Sequence, residues 1–377
     1  MAMTPGYHKT SLGTIPIDWD IARIDEHASI TTGSRNTQDR TKDGSYPFFV
    51  RSPQIERIDT HSFHGEAVLT VGDGVGTGKV FHYVDNGRFD VHQRVYVLNR
   101  FSDLLDGRYL FYQFSSRFYH RSMSMTAKSS VDSVRLETIA GMEVPLPPPV
   151  EQRAIAAALR DVDALLNSLD RLIAKKRHLK QAVMQQLLTG RTRLPGFGGE
   201  WELRPLREVL TIRYGKSQRE VIAADGPYPV LASGGQIGTA ACALYDKPSV
   251  LIGRKGTIDH PRYVSNPFWA VDTLFYTAMK NENCAMFFYY RFCLIQWMQY
   301  NEATGLPSLN AQTIEGIEIN CPEPREQAAI AALLSDMDAE IAAFVARRDK
   351  TRDLKQAIMQ ELLSGKTRLV KPESAHA

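Results

Sequence analysis

Two stretches of the chain place an apolar residue at every third or fourth position, a spacing that predicts an amphipathic helix. The steps alternate between four and three residues, and a mean step of about 3.5 residues is typical of helices that pair along an apolar seam. In the first stretch the seam residues are Ile155, Leu159, Val162, Leu166, Leu169, Leu179 and Val183. In the second stretch they are Ile330, Leu334, Met337, Ile341, Phe344, Leu354 and Ile358.

Prolines and glycines mark the ends of both predicted helices. A proline run at 147–149 precedes Glu151, so the first helix is expected to begin at the end of that run, with an acidic side chain in its first turn. Gly190 and Gly365 stand where a glycine cap ends a helix. Each helix would then span about 40 residues, or ~60 Å.

The two helices belong to a tandem repeat. LKQAVMQQLLTGRTRL at 179–194 and LKQAIMQELLSGKTRL at 354–369 are identical at 12 of 16 positions. Earlier blocks also match, including Trp19 with Trp201, Gly33 with Gly215 and Gly74 with Gly256. Residues 34–66 and 216–248 barely align, whereas the opening segments (residues 15–33 and 196–215, here called the openers) and the helices agree closely. This pattern predicts two modules that share one architecture and bind different ligands.

Two helices of equal length and register in one chain are expected to pair with each other as an antiparallel coiled coil. The alternative, in which each helix packs only on its own domain, stays open. The predicted boundaries are 1–147 for a first variable domain, 148–190 for the first helix, 191–321 for a second variable domain, and 322–377 for the second helix with a C-terminal tail.

The variable domains are predicted to combine short strands with one helix each. YPFFV, AVLTV, KVFHYV and RVYVL are rich in β-branched and aromatic residues and are separated by turn residues. Helices are expected at 107–120 and 284–299. The fold class is therefore α+β, with two pseudo-symmetric α/β domains joined by two long antiparallel helices that form a coiled coil.

Composition excludes several classes of protein. Hydrophobic residues make up 43% and charged residues 23% of the chain, as in ordinary globular proteins. No apolar run approaches the roughly 18 residues of a membrane span, and the first residues lack the plan of a secretory signal. We therefore expect a cytoplasmic protein without a membrane contact. The four cysteines show no C-x-x-C spacing, which argues against a disulfide framework or a zinc site.

Charge is unevenly distributed along the chain. The net charge of +3 is too small to indicate a nucleic-acid partner by itself. Residues 148–195 hold 9 Lys+Arg against 4 Asp+Glu, whereas both variable domains are close to neutral. Any DNA contact by the variable domains must therefore come from local clusters.

The motifs that suggest enzymatic chemistry fail on inspection. VGDGVGTGKV at 71–80 resembles a phosphate loop, but Asp73 replaces the required first glycine and Val80 the required Ser or Thr. NPFW at 266–269 lacks the second proline of an amino-methyltransferase motif. The histidines have no carboxylate at metal-ligand spacing. We predict no catalytic residue, no metal and no cofactor in this chain.

Polar and basic residues follow the opener in both copies, and such side chains read base edges and hold phosphates. Exposed loop residues are the other explanation for these stretches. The candidate DNA-binding residues in the first copy are Arg35, Asn36, Gln38, Arg40, Lys42, Lys79 and Lys128. In the second copy they are Lys216, Ser217, Gln218, Arg219, Arg254 and Lys255.

The complete pattern resembles the specificity subunit of type I restriction-modification systems. Two variable domains are each followed by a helix with P-x-x-x-EQ-x-x-I-x-x-x-L that ends in LKQA and TRL. The resemblance implies a non-catalytic chain in which each domain is a target-recognition domain for one half of a bipartite, asymmetric site in double-stranded DNA. It also implies that the helices act as a spacer and as the docking site of two modification (methyltransferase) subunits.

Restriction subunits would complete the assembly that this resemblance implies. S-adenosylmethionine, ATP and Mg would belong to the partner subunits, which would supply the adenine-N6 methyltransferase and the ATP-dependent endonuclease. Two other hypotheses stay open, namely a coiled-coil scaffold that spaces two protein-binding modules, and a free-standing enzyme that uses the glycine-rich loop.

Overall fold

The computed structural model describes residues 6–52, 54–74, 76–83, 87–126 and 134–370. Their contacts divide the chain into two units. Unit 1 comprises the described residues up to Ser168 and those from Arg347 onward, and unit 2 comprises Leu169–Ala346. The chain passes from one unit to the other within its long helices, whereas the sequence-based boundaries enclose each helix whole.

Unit 1 contains the first variable domain. Its strands are β1 (Tyr7–Thr10), β2 (Gly13–Pro16), β3 (Asp20–Arg23), β4 (Ser29–Thr32), β5 (Tyr46–Phe49), β6 (Ile55–Ile58), β7 (Phe63–His64), β8 (Ala67–Val71), β9 (Val80–Tyr83), β10 (Arg88–Val91), β11 (Val95–Asn99) and β12 (Glu143–Leu146). Its helices are α1 (Ile24–His27), α2 (Gly107–Thr126), α3 (Leu136–Ala140), the first part of α4 (Pro149–Leu187) and the last part of the second long helix, α8 (Pro324–Leu363).

The sheets of unit 1 follow from where apolar residues are buried. The antiparallel sheet β4-β11-β8-β9 has β8 near its centre, and all five residues of β8 are buried. A second sheet, β6-β5-β10-β7, includes one parallel pair between β10 and β5. Strand β3 pairs with β12 just before α4, so the opener of the repeat lies beside the start of the long helix.

Unit 2 contains the second variable domain. Its strands are β13 (Glu202–Pro205), β14 (Leu210–Tyr214), β15 (Tyr228–Ala232), β16 (Gly235–Ala240), β17 (Ser249–Gly253), β18 (Arg262–Val264), β19 (Trp269–Ala270), β20 (Leu274–Met279) and β21 (Glu318–Cys321). Its helices are the last part of α4, α5 (Leu206–Val209), α6 (Ala285–Phe292), α7 (Ala311–Glu315) and the first part of α8.

The two units repeat one topology. The order β14-β20-β17-β18 corresponds to β4-β11-β8-β9, and the pair β13-β21 corresponds to β3-β12. The order β16-β15-β19, again with a parallel pair, corresponds to β6-β5-β10. The predicted α+β class with two pseudo-symmetric domains is confirmed.

The long helices have the predicted lengths, with 39 residues in α4 and 40 in α8. Gly190 and Gly365 follow them with positive φ angles of 72° and 71°, as expected of glycine caps. The prediction of a helix over 284–299 is wrong at its C-terminal end, because α6 stops at Phe292. The chain turns there, and Trp297 is buried with its Nε1 donating to the Phe292 carbonyl at 2.9 Å.

The apolar seam joins the helix ends to the domain cores. In unit 1, Ile155 and Leu159 share one core with Ile358, and in unit 2, Ile330 and Leu334 share another. Val183 and Met337 pack against the unit 2 core. Farther along the helices Leu169 and Ile341 are buried, while Val162, Leu166 and Phe344 are half-buried.

Two predicted seam residues are not buried. Leu179 is 49% and Leu354 is 56% exposed, so the prediction that they lie in the seam is wrong. The next residue along each helix takes the inward direction instead. Lys180 and Lys355 turn toward the other helix, where each forms an ion pair with an aspartate.

These ion pairs show antiparallel packing inside each unit. In unit 2 the Lys180 Nζ lies 2.6 Å from an Asp338 oxygen, and the Tyr290 hydroxyl donates to the same carboxylate at 2.8 Å. Lys176 pairs with Glu340 at 2.7 Å, so residue numbers rise along one helix as they fall along the other.

Unit 1 repeats this arrangement with the equivalent residues of the other copy. Lys355 pairs with Asp163 at 2.6 Å, and the Tyr112 hydroxyl donates to that carboxylate at 2.8 Å. Burial, followed by the hydrogen bond to Asp163, raises the pKa of Tyr112 well above its usual range.

A buried carboxylate at the start of each long helix holds three parts of the chain together. In unit 1, Glu151 is 2% exposed and accepts hydrogen bonds from the Trp19 indole at 3.1 Å and from the Arg368 guanidinium at 2.5 and 2.6 Å. Arg368 also stacks over the Trp19 ring at 5.6 Å and pairs with Asp18 at 2.9 Å. The Arg368 hydrogen bond lowers the pKa of Asp18.

The same clamp recurs in unit 2 with the roles of the copies exchanged. Glu326 accepts from the Trp201 indole at 3.1 Å and from Nε and Nη2 of the Arg193 guanidinium, both at 2.6 Å. In each unit the Trp and Glu come from one copy and the Arg comes from the TRL segment of the other. The repeated TRL is therefore explained, because each copy closes the domain of its counterpart.

Replacing Arg368 with Ala should destabilise the chain by about 3–5 kcal/mol, because it leaves a buried carboxylate without its cation. Urea unfolding followed by tryptophan fluorescence would measure the loss. The matched control is Arg352→Ala, which removes an exposed arginine paired with Asp349 and should cost at most about 1 kcal/mol. Equal losses for the two variants would contradict the clamp.

Candidate nucleic-acid interface

Antiparallel pairing brings three strand ends of unit 1 to one place. Strands β4 and β8 both run opposite to β11, so their C-terminal ends meet at the start of β11. Asn36 follows β4, Asp73 follows β8, and Arg94 precedes β11. We call this region the strand-end surface of unit 1; it also includes Arg51, beside Gly74.

The side chains of this surface lie close to one another. Arg51 Nη1 lies 3.6 Å from Asp73 Oδ1, and Arg94 Nε lies 3.6 Å from Asp73 Oδ2. Beside them the Gln93 amide donates to Asn36 Oδ1 at 2.7 Å. Two guanidinium groups and two amides are thus grouped at one surface.

His92 lies beneath this surface and is buried. Its Nδ1 accepts a hydrogen bond from the Arg94 backbone amide at 3.0 Å. Burial, followed by the positive charge of Arg51, lowers the pKa of His92. The neutral imidazole therefore supports the backbone that carries Arg94.

Arg35 has an internal role that the sequence did not indicate. Its Nε lies 3.3 Å from an oxygen of Asp90, a fully buried carboxylate. The Thr60 and Ser62 hydroxyls donate to the same oxygen at 2.9 and 3.3 Å. Arg35 is thus committed in part to neutralising a buried charge, and its partly exposed side chain is a weaker candidate for DNA contact.

The remaining candidates of the first copy are scattered. Arg40 is exposed and pairs with Glu56 at 3.2 Å, while Gln38 and Lys42 are exposed. Lys79 lies over the Phe81 ring at 5.0 Å. Lys128 lies outside the described residues.

Unit 2 forms the equivalent strand-end surface from β14, β17 and β20. Tyr214 ends β14, Arg254 and Lys255 follow β17, and Thr273 precedes β20. The Arg254 guanidinium lies 5.2 Å from the centre of the half-exposed Tyr214 ring. This contact holds a cation and an aromatic face together at the surface.

The polar stretch after β14 begins beside this surface. The Lys216 backbone amide donates to the Ala270 carbonyl at 2.9 Å, and the Lys216 carbonyl accepts from the Trp269 indole at 3.0 Å. The Lys216 side chain is exposed, as are Ser217 and Arg219, while Gln218 is half-buried. Only the backbone of Lys216 is used internally here, so its ammonium group is directed outward.

A loop that the sequence did not indicate completes the surface of unit 2. The loop at 301–309 is fixed to the turn after β17, where the Gly256 amide donates to the Pro307 carbonyl at 2.9 Å. The Leu309 amide donates to the Arg254 carbonyl at 3.0 Å. Arg51, Gln93, Arg94 and Tyr214 were also missed, because only the strand pairing brings them to the same surface.

Two glycines explain why the openers of both copies end in the same residue type. A Cβ on Gly33 would lie 1.9 Å from the Val91 carbonyl oxygen, and one on Gly215 would lie 1.9 Å from that of Val271. No side chain fits so close to a backbone. Gly33 and Gly215 therefore let the chain cross the sheet edge at the same point in both units.

Within the described part of the chain, no group of three or more His, Cys, Asp or Glu side chains is placed to hold a metal ion. None of the helices in that part is long and apolar enough to cross a membrane.

Two equivalent surfaces on one repeated frame define a two-module chain built for recognition. The family model of the type I restriction modification DNA specificity domain matches this chain twice, over residues 16–176 and 198–350. The chain belongs to this family. The prediction of a type I specificity subunit, a DNA-recognition chain without catalytic activity of its own, is confirmed.

Curated relatives agree with this assignment. The type I restriction enzyme EcoDI specificity subunit of Escherichia coli is 26% identical over 185 residues, which are 48% of this chain and 40% of that protein. The type I restriction enzyme MjaVIII specificity subunit of Methanocaldococcus jannaschii is 22% identical over 94% of both chains.

Solved structures share the fold. The S subunit of a type I restriction-modification system from M. genitalium matches with a TM-score of 0.68 at 20% identity, over 96% of this chain and 99% of that one. A chain from a structure on complex assembly and conformational transition of the type I R-M system matches with a TM-score of 0.56 at 17% identity, over 94% and 99%.

Replacing Gly215 with Ala should destabilise the chain by about 1–3 kcal/mol or more, because the new methyl group forces the strand ends apart. The affinity for DNA through the strand-end surface of unit 2 should decrease together with the stability. The control is Gly234→Ala, whose Cβ would meet no atom within 4 Å. Urea unfolding would compare the two variants, and an unchanged midpoint for Gly215→Ala would refute the close approach.

Proposed function

We propose that each domain of this chain reads one half of a bipartite, asymmetric site in double-stranded DNA. The observation that carries the proposal is the pair of strand-end surfaces, which share a frame and differ in their side chains. A common frame suits a common ligand, the duplex, and different hydrogen-bonding groups suit different base sequences.

The proposed assembly includes two modification subunits and restriction subunits. S-adenosylmethionine, ATP and Mg would be bound by those partners. In support, one structural neighbour comes from a structure that concerns complex assembly of the type I R-M system.

The long helices are proposed to act as the spacer between the two recognition domains. Each helix is continuous, and in each unit the two helical segments run antiparallel and are joined by a half-buried ion pair. A paired helix of fixed length would set the separation of the two half-sites along the duplex.

The helices also carry the proposed docking sites of the modification subunits. Several exposed residues of α4 are identical at the equivalent positions of α8, although exposed side chains are not held by packing. A repeated surface is expected to bind two copies of one partner. From Leu179 and Leu354 onward, the exposed identical pairs of the two helices are Leu179 with Leu354, Gln181 with Gln356, Ala182 with Ala357, and Gln185 with Gln360.

Lys216→Gln and Lys255→Gln should each weaken DNA binding and lower the slope of log affinity against log salt by about 0.9, because each removes one phosphate contact. Binding of the chain with its modification subunits to a duplex at several salt concentrations would measure both effects. Wild-type affinity itself should fall steeply with salt. A salt-independent or absent affinity would favour the protein-binding scaffold instead.

The matched control for these lysines is Lys280→Gln. Lys280 follows β20 at Met279, the end of the strand opposite to Thr273, and its Nζ donates to the Arg207 carbonyl at 2.6 Å. DNA affinity should be unchanged in this variant. A loss equal to that of Lys255→Gln would move the interface elsewhere.

Leu179→Glu and Leu354→Glu should each remove one modification subunit, because a carboxylate cannot be buried in an apolar contact without a partner. The mass of the complex by light scattering would fall from two bound subunits to one. Leu203→Glu changes a leucine of β13 that is 62% exposed and should leave two bound. Full binding to both helix variants would exclude these leucines from docking.

A further inference from the structure

Matching backbone hydrogen bonds establish which positions of the two strand-end surfaces correspond. The Gly72 amide donates to the Arg94 carbonyl at 2.8 Å, and the Arg254 amide donates to the Thr273 carbonyl at 2.8 Å. Gly72 and Arg254 occupy the same place in the repeat alignment. Arg94 of unit 1 therefore corresponds to Thr273 of unit 2.

A second pair of backbone bonds gives the same register. The His92 amide donates to the Phe49 carbonyl at 2.9 Å, and the Val271 amide donates to the Leu231 carbonyl at 3.0 Å. Both bonds connect the segment before the central strand to the parallel strand of the second sheet. The correspondence thus holds across both sheets of each domain.

The third correspondence involves the turn after β8 and β17. Gly74 and Gly256 have φ angles of 84° and 87°, so both turns have the same left-handed conformation. A Cβ on Gly74 would lie 3.6 Å from the Arg51 side chain, and one on Gly256 would lie 3.9 Å from the Ser233 hydroxyl. Arg51 therefore corresponds to Ser233.

Equivalent positions carry opposite chemistry in the two domains. Asp73 precedes Gly74 and Lys255 precedes Gly256, so a carboxylate of unit 1 stands where unit 2 has an ammonium group. The flanking arginines of unit 1 are replaced by Ser233 and Thr273. The backbone is shared, and the side chains at these three positions change in charge and size.

We propose that Arg51 and Arg94, held on either side of Asp73, read guanine in the half-site of the first domain. The proposal rests on the proposed function. Arg donates two parallel hydrogen bonds to the O6 and N7 acceptors of guanine in the major groove, a contact that requires a fixed guanidinium plane. Asp73 keeps both guanidinium groups together at the surface, because its carboxylate oxygens lie 3.6 Å from a nitrogen of each arginine.

The central carboxylate distinguishes base reading from phosphate binding. A phosphate contact needs positive charge alone, and Asp73 would repel a phosphate while cancelling one of the two arginine charges. The guanine edge has no net charge and is repelled by the carboxylate far less than a phosphate is. Arg51 and Arg94 are 49% and 64% exposed, so their donor groups are free to reach a groove beyond the carboxylate.

The adjacent amides fit the same interpretation. Gln93 and Asn36 are joined at 2.7 Å, next to the arginines. A single Asn or Gln side chain recognises the N6 and N7 groups of adenine through its amide oxygen and nitrogen, and Gln93 keeps its oxygen and one N–H for such a contact. The first domain is therefore assigned a half-site with guanine opposite the arginines, whereas the second domain, with Lys255 at the position of Asp73, contacts the duplex differently.

The test compares Arg51→Ala, Arg94→Ala, Arg51→Lys and Arg94→Lys in the full chain with its modification subunits. The probes are duplexes that contain the DNA sequence methylated by the wild-type complex. In each probe one base pair of that sequence is replaced. Each variant should lose roughly 5- to 150-fold of its preference for guanine at one position of one half-site. The Lys variants should lose it too, because an ammonium group cannot form the paired bonds.

The salt dependence separates the two kinds of contact. If Arg94 reads a base, the slope of log affinity against log salt stays near its wild-type value in Arg94→Ala while the preference is lost, whereas loss of a phosphate contact would lower the slope by about 0.9. Uniform weakening on every duplex, with the preference retained, would make the arginine a phosphate contact and overturn the proposal. An unchanged preference in all four variants would also overturn it.

Two controls keep this outcome apart from other failures. Arg23→Ala removes an exposed arginine of β3 that pairs with Asp25 at 2.7 Å, and it should keep full preference. Thermal unfolding of every variant confirms that the domain is intact. A wild-type complex without any sequence preference would refute the proposed function itself, whereas preference in the wild type that survives in the variants refutes only the assignment to Arg51 and Arg94.

Discussion

The fold depends on neutralising one buried carboxylate at the start of each long helix. Glu151 and Glu326 lie in first helical turns, where the helix dipole favours a negative charge, but burial there is costly without a cation. Arg368 and Arg193 supply that cation from the far end of the opposite copy. Neither copy contains the arginine that completes its own domain. In each unit, therefore, the opener and the helix start of one copy are held together with the segment after the helix end of the other copy.

This constraint leaves the strand ends free to vary. The clamp, the lysine–aspartate pairs and the glycine crossings are the same in both units, and they fix the backbone of β4-β11-β8 and of β14-β20-β17. The side chains at the strand ends are not needed for these internal contacts. Arg51, Asp73 and Arg94 in one domain can therefore correspond to Ser233, Lys255 and Thr273 in the other without a change of fold. The backbone frame is constant and the surface side chains differ for the same physical reason: the repeated internal contacts hold the backbone and leave the strand-end side chains free to change.

Much of the fold could be predicted because it follows local rules. The seam spacing, the proline run before Glu151 and the glycines at 190 and 365 located both long helices nearly to the residue. The predicted seam was wrong at Leu179 and Leu354. The spacing of apolar residues cannot distinguish an apolar residue that faces the partner helix from one that lies next to an inward-facing lysine. The early end of α6 at Phe292 was missed because Trp297 folds back through a tertiary contact.

The sequence by itself determined that the chain has two equivalent halves, where their helices lie and which family they resemble, because repetition and periodicity are properties of order along the chain. Only the tertiary structure decided which residues meet. Arg368 reaches Glu151 from 217 positions away, and Arg51 joins Arg94 through strand pairing. The tertiary structure also showed that Arg35, a candidate DNA contact in the sequence, is the partner of buried Asp90. Only packing reveals which charges must be neutralised inside the protein.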